Sequence, residues 1–297
     1  MPEIVEVKKY CDFIRKHMVN NKITNIFILK GRYKKHKPFE GYNIIKKNLP
    51  IYLLDIQSKG KFIYMTFEND IILFCTLGLS GGWTYQYNKQ FRFPKMIEYL
   101  NIKDVGNYHN ESLNHLNIEF RTSKGSLFFF DTLSFGTIKV VNNIDELNKK
   151  LNKIAPDIMD ITTTLDVFNN IITKYPNKKI GLILLNQKIV SGIGNYLRAD
   201  VLWLAKVSPF RLVKKLSELD IHNIYKAIIL LTWGRYNYKK AIKLKLINKH
   251  MKLPSYYKRD FFVYYEDTDI YGNTVKKEDL YEGSQKRFIY WVPYYQK

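Results

Sequence analysis

Cysteine is almost missing from this chain. Cys11 and Cys75 are the only two in 297 residues, each in an apolar setting, which excludes a disulfide framework and a cysteine-rich zinc site. The histidines, His17, His36, His109, His115, His222 and His250, have no spacing that puts two ligands on one helical face, so neither a metal nor another cofactor is expected. Long apolar runs are lacking too. The stretches around Ile71 to Leu79 and Ile228 to Trp233 are too short to span a bilayer, and MPEIVEVKK has no signal core, so a soluble, intracellular protein is expected. Acid is scarce: 27 Asp and Glu face 48 Lys and Arg, a net charge of +21 spread along the whole chain. Such a surplus predicts a polyanionic partner. Nucleic acid, an acidic membrane surface and ribosomal RNA all meet that condition. Aromatics at 15% tilt the balance toward nucleic acid, because bases stack on them, although most are core filler.

The length suggests two or three units. Apolar residues at Ile4, Val7, Cys11, Ile14 and Met18 alternate in steps of three and four, which predicts a helix starting almost at the first residue. Pro2 and Glu3 suit its first turn, since proline loses no needed donor there and a carboxylate favours the positive end of the helix dipole. From Ile23 to Val141 short β-branched and aromatic runs follow: ITNIFIL, LPIYLLDIQ, KFIYMTF, DIILFCTLGL, LNIEFRT and SLFFFDTLSFGTIKVV. Turn residues punctuate them, and the pattern argues for a β-sandwich. A linker is expected just after Asp145. Helices are expected at about Leu165 to Lys174, Lys178 to Leu185, Tyr196 to Lys206 and Glu218 to Lys243, with Pro254 closing the helical region. At the end, Phe261 to Tyr265 and Arg287 to Trp291 read as strands.

Four places are candidates for chemistry. Once Met1 is removed, Pro2 presents a secondary α-amine with a pKa near 8 by reference, about two units below a lysine, and hence more nucleophile near neutral pH. Attack on a sugar C1′ would give a permanently cationic iminium, an electron sink for loss of the neighbouring phosphate. Glu3 beside it can move a proton, and Glu6 one turn on can orient the site. Lys61, in Ser58-Lys-Gly-Lys-Phe62, offers a basic group on a hairpin. Gly192-Ile-Gly-Asn195 opens a helix, where glycine lets a backbone approach a ligand and free N–H groups suit phosphate. Arg287, beside Gln285 and Lys286, could grip a phosphate with paired hydrogen bonds. Taken singly, each has an ordinary reading: a helix start, a strand lysine, an N-cap asparagine, a surface arginine.

Their order is more informative. MPE at the start, SKGKF then TLGLSG between 58 and 81, DTLSFG at 131 to 136, NQKIVSGIGNYLRADVLW at 186 to 203 and a basic C-terminal hairpin together resemble the Fpg/Nei DNA glycosylases. Gly192 to Phe210 is similar to the helix two-turn helix signature of its Nei-like branch. The resemblance implies an α+β multidomain fold: residues 1–145 a catalytic β-sandwich with a leading helix, 146–255 a helical DNA-binding domain, and 256–297 a β-hairpin finger. It further implies that DNA runs between the first two domains. Pro2 becomes the Schiff-base nucleophile, Glu3 the general acid with Glu6 in support, and Lys61 an aid to sugar opening and β-elimination. Asn195, Gly194, Lys188 and Arg287 become DNA contacts, with Arg287 also assisting δ-elimination. Most family members hold the finger with four cysteines and zinc; with none after residue 256, this chain resembles the zincless version. Leu79, Leu133 and Phe135 fall where the family fills the gap left by a flipped base. Leu79 and Leu133 replace the methionine and arginine of Fpg proteins, which points away from 8-oxoguanine.

The resemblance implies a monomeric base-excision glycosylase and lyase acting on damaged DNA, duplex or single-stranded, with oxidised pyrimidines favoured and no membrane partner. A catalytically silent relative that only clamps DNA or RNA is the alternative, and Pro2, Glu3 and Lys61 together speak against it. A ribosome-associated RNA-binding protein would fit the charge but not the ordered motifs.

Overall fold

The apolar stripe that begins at Ile4 forms helix α1 (Ile4–Met18), whose buried side includes Ile4, Val7, Tyr10, Cys11, Ile14 and Met18. The computed structural model describes residues 2–94, 105–250 and 261–297. The chain divides into two units, Met1–Lys153 and Ile154–Lys297.

In the first unit α1 is followed by β1 (Lys22–Ile28), α2 (Arg32–Lys35), α3 (Tyr42–Lys47), β2 (Ile51–Lys59), β3 (Phe62–Phe67), β4 (Ile72–Thr76), β5 (Gly81–Tyr87) and β6 (Gln90–Arg92). Then come α4 (Val105–Asn114), β7 (Leu116–Thr122), β8 (Ser126–Asp131), β9 (Thr137–Val141) and α5 (Ile144–Asn152). The strands run β6-β5-β8-β7-β1-β2-β3-β4-β9, all neighbours antiparallel. β1 and β2 share only the pairs Lys22↔Tyr52 and Ile23↔Ile51, so the sheet bends there into the two leaves of a sandwich. Alternation along β2 shows why: Ile51, Leu53 and Ile56 are buried while Tyr52 and Leu54 are exposed. One apolar cluster joins Trp83, Phe120 and Phe129 of one leaf to Met65, Leu73 and Ile138 of the other, with α1 packed into it.

In the second unit α6 (Leu165–Ile172), α7 (Ile180–Leu185), α8 (Asn195–Leu204) and α9 (Glu218–Lys243) precede a hairpin of β10 (Lys276–Glu282) and β11 (Gln285–Trp291). Thr164 caps α6 and a Ser217/Asp220 capping box starts α9. α9 breaks at Asn237 (φ −160°, ψ 88°), whose Oδ1 accepts from the Lys240 N–H at 2.9 Å and restarts the helix. Among the described residues no helix is long and apolar enough to cross a membrane.

The mixed α+β architecture is the expected one. Short helices α2, α3 and α4 interrupt a stretch expected to hold strands alone, and other details differ as well. β5 and β6 were not among the expected strands; a side chain at Gly82 would meet Tyr10 Oη at 2.1 Å, so glycine here admits α1 against the strand. Where a linker was expected, Asn143 caps α5, its Oδ1 accepting the Asp145 N–H at 2.7 Å. Residues 261–265 form turns rather than a strand, and β11 pairs instead with the charged Lys276–Glu282. The end of the helical region expected at Pro254 lies outside the described residues.

Candidate functional site

Glu3 is the N-cap of α1 and is completely buried. Its N–H donates to Glu6 Oε2 at 2.8 Å, its carbonyl accepts the Val7 N–H at 3.0 Å, and Ile4 and Val5 beside it are in the core. A carboxylate is thus held at the positive end of a helix, with Pro2, half-buried, directly ahead of it. Lys61, also half-buried, occupies the two-residue turn of the β2–β3 hairpin, where Lys59 pairs with Phe62 and Gly60 takes φ +56° as such a tight turn requires. α1 packs against this hairpin. Two turns into the helix the Cys11 thiol meets Ser58, and burial pushes its pKa up to about 12 despite that hydrogen bond, which makes it inert.

Two loops of the same unit carry exposed apolar side chains: Leu79 (46%), Leu133 (54%) and Phe135 (60%). Buried Asp131 ties them together by accepting Ser80 Oγ at 2.5 Å and the Gly136 N–H at 2.7 Å, while Ser80 Oγ accepts the Leu133 N–H at 2.8 Å. At Gly78 (φ +59°) a side chain would stand 2.6 Å from the Phe135 carbonyl carbon, so the loops touch at the backbone. Arg32 clasps the second loop, donating to Ser134 O at 3.3 Å and to Gly136 O, with its guanidinium over the Tyr33 ring. Ser80, Asp131 and Arg32 are supporting residues that the sequence reading missed. Asp131 lay inside DTLSFG, but its partner Ser80 is 51 positions away.

In the second unit Gly192 (φ +108°) and the N-cap Gly194 bring the chain into α8. Gln187 fixes this approach, donating to Ile193 O at 2.6 Å and accepting the Gly192 N–H at 2.9 Å; Lys188 beside it is exposed. Asn195, the first residue of α8, is partly exposed, and its Oδ1 accepts Arg198 Nη2 at 3.3 Å. Arg287 is exposed on β11 opposite Leu280. The finger is anchored by α8. Buried Asp200 accepts the N–H groups of Phe262 (3.0 Å) and Val263 (3.2 Å) and Arg235 Nη2 (3.1 Å). Burial raises its pKa above the ordinary carboxylate value, against the pull of Arg235 and the two amides. Trp203 Nε1 donates to Asp269 at 3.1 Å. A charged pair inside the apolar run NYLRADVLW was a sequence signal for Arg198 and Asp200 that went unread.

The expected site residues therefore fall into two groups: Pro2, Glu3, Glu6 and Lys61 with the three apolar loop residues in the first unit, and Gly194, Lys188, Asn195 and Arg287 in the second. Among the described residues no three His, Cys, Asp or Glu side chains are grouped to hold a metal.

Two helices, α7 and α8, joined through the turns of residues 186–194 give the second unit a helix two-turn helix arrangement, and residues 154–248 match the model of the formamidopyrimidine-DNA glycosylase H2TH domain. Residues 1–138 match the formamidopyrimidine-DNA glycosylase N-terminal domain. The chain belongs to the Fpg/Nei family. Relatives include the formamidopyrimidine-DNA glycosylase of Ureaplasma parvum serovar 3, 27% identical over 76% of this chain and 75% of that one. Endonuclease 8 of Pectobacterium atrosepticum is 22% identical with both chains fully covered. The fold is that of Lactococcus lactis formamidopyrimidine-DNA glycosylase bound to DNA containing an abasic site (TM-score 0.74, 22% identity, both chains fully covered). It is also that of MutM with DNA containing carbocyclic 8-oxoguanine (TM-score 0.72, 24% identity, both chains fully covered).

Proposed function

We propose that this DNA glycosylase of base excision repair removes oxidised bases, pyrimidines above all, and then cleaves the strand as a lyase. The observation that carries the reading is the seating of Glu3: a fully buried carboxylate at a helix N-terminus, immediately after Pro2. With Met1 removed, the Pro2 nitrogen attacks C1′ of the everted nucleotide. The C1′–N bond to the base breaks, the base leaves with a proton relayed by Glu3, and ring opening yields a C1′ iminium. Loss of a C2′ proton then expels the 3′ phosphate, and water releases the sugar and regenerates the amine. Lys61 assists opening and elimination. Asn195, Gly194 and Lys188 bind phosphates, Arg287 binds phosphate and assists a second elimination, and Leu79, Leu133 and Phe135 fill the gap. In this reading residues 1–145, 146–255 and 256–297 act as catalytic, DNA-binding and finger modules. The replacement of a methionine and an arginine by Leu79 and Leu133 supports a substrate other than 8-oxoguanine.

The test is borohydride reduction with DNA containing 5-hydroxyuracil or an abasic site, beside an 8-oxoguanine control. Covalent trapping on the first two, lost when residues are added before Pro2, is expected. Preference for 8-oxoguanine would refute the pyrimidine assignment, and full trapping with a blocked N-terminus would refute the proline mechanism.

A further inference from the structure

Arg198 is completely buried, and its guanidinium reaches oxygens on three elements: Asn195 Oδ1 on α8 (3.3 Å), Gly181 O on α7 (3.1 Å) and Phe288 O on β11 (2.5 Å). Removing a guanidinium from water is costly even when it is well paired, and apolar packing would fill the same space. Two of the three partners lead directly to proposed DNA contacts, since Asn195 is one and Phe288 follows Arg287 in the chain. We propose that Arg198 is a positioning residue that couples the Asn195 phosphate grip to the finger arginine Arg287. This rests on the function proposed above.

The chemistry at Asn195 comes first. An asparagine amide has a donor end and an acceptor end of nearly equal shape. By donating to Oδ1, Arg198 commits the oxygen inward and leaves Nδ2 as the end that can donate to a phosphate, which only accepts. Without that bond the flipped amide would present an oxygen to an anion. Of the other two bonds, one reaches the finger itself and one the α7 glycine against which it packs. Phe288 O ties β11 to α8 one residue from Arg287. On the opposite strand Leu280, the partner of Arg287, sits against Gly181, where a Cβ would be 3.0 Å from Leu280 Cδ2. The carbonyl of that same Gly181 is the third acceptor. One planar fork thus ties β11 to α7 and α8 one residue from Arg287 and orients the Asn195 amide. A lysine has the charge but not the fork.

A mutant cycle on the full-length protein tests this. Arg198→Lys and Arg198→Gln are combined with wild-type residues, or with Asn195→Ala and Arg287→Ala together, and affinity for duplex containing a tetrahydrofuran abasic analogue is measured alongside the melting temperature. In the wild-type background Arg198→Lys should weaken binding about tenfold, within the usual range of coupling between contacting residues. With Asn195 and Arg287 already truncated it should cost less than about twofold, whereas its effect on melting temperature should be the same in both backgrounds. An equal loss of affinity in both would overturn the proposal, and so would failure of both Arg198 variants to fold, since the guanidinium would then serve the fold alone. Wild-type protein that does not prefer the abasic analogue to undamaged duplex would defeat the underlying function, a result distinct from an additive cycle.

Discussion

The head of α1 and the finger hairpin are held in place by opposite means. Glu3 is positioned by an apolar core: Ile4 and Val7 are fully buried, and the strands that α1 packs against belong to a nine-stranded sheet. The finger has two strands, too few for independent stability in water. Polar side chains take up the work that more strands would do. Asp200 accepts the amides of Phe262 and Val263, Arg198 donates to Phe288 O, and the Asp269 carboxylate accepts Tyr271 N (2.9 Å), Asn273 N (2.9 Å), Asn273 Nδ2 (3.1 Å) and Trp203 Nε1 (3.1 Å). A buried anion surrounded by donors organises this loop. Apolar burial does most of the positioning where a sheet is wide, while a narrow hairpin depends on a few buried, hydrogen-bonded charges.

The comparison can be sharpened by breaking each side. The largest effect is expected at Glu3→Gln, which keeps the size and an acceptor but removes the acid. Base excision in single turnover should fall by about 10²-fold or more with the melting temperature almost unchanged; near-normal excision would remove Glu3 from the chemistry. On the polar side, Asp269→Ala leaves the buried Trp203 Nε1 and three partly buried donors without their acceptor and should destabilise the second unit by about 3 kcal/mol, read from the denaturant midpoint. Chelators should leave that midpoint and the activity unchanged, and zinc lost together with activity would mean the finger is held by metal. A smaller loss, about 1 kcal/mol, is expected for Ser80→Ala, which frees the Leu133 amide; faster hydrogen exchange across residues 132–136 would report it. The smallest effect concerns the sulfurs. Burial raises the Cys11 thiol from 9.0 to about 12 and the Cys75 thiol still further. The folded state therefore favours the neutral thiol, and the contribution to stability is complete below pH 9.0 and lost as pH rises from there toward 12. Neither cysteine should react with a thiol reagent at pH 8 until the first unit unfolds.

Legibility in the sequence followed the same division. α1 and α9 could be read from apolar periodicity, and most sandwich strands from β-branched runs, because there burial dictates residue type. β5 was hidden by glycines that serve close packing, and β10, KKEDLYE, by its charge. Phe261 to Tyr265 has the composition of a strand, yet the amides of Phe262 and Val263 bond to a side chain on α8, a partner 62 and 63 residues away that no local pattern reveals. Pro2, Glu3, Lys61, Asn195 and Arg287 were singled out as candidates by their order along the chain rather than by any single residue. Arg198, Asp131 and Arg32 were not, since each bonds to a partner far along the chain.

The central claim is that the N-terminal proline is the nucleophile, and the most direct test is to locate the covalent bond. Protein trapped by borohydride on abasic-site DNA is digested with nuclease and protease, and the peptide carrying the sugar remnant is sequenced by mass spectrometry. The adduct is expected on the Pro2 nitrogen, in a peptide lacking Met1. An adduct on a lysine, Lys61 foremost, with an unmodified N-terminal peptide recovered in full, would contradict it.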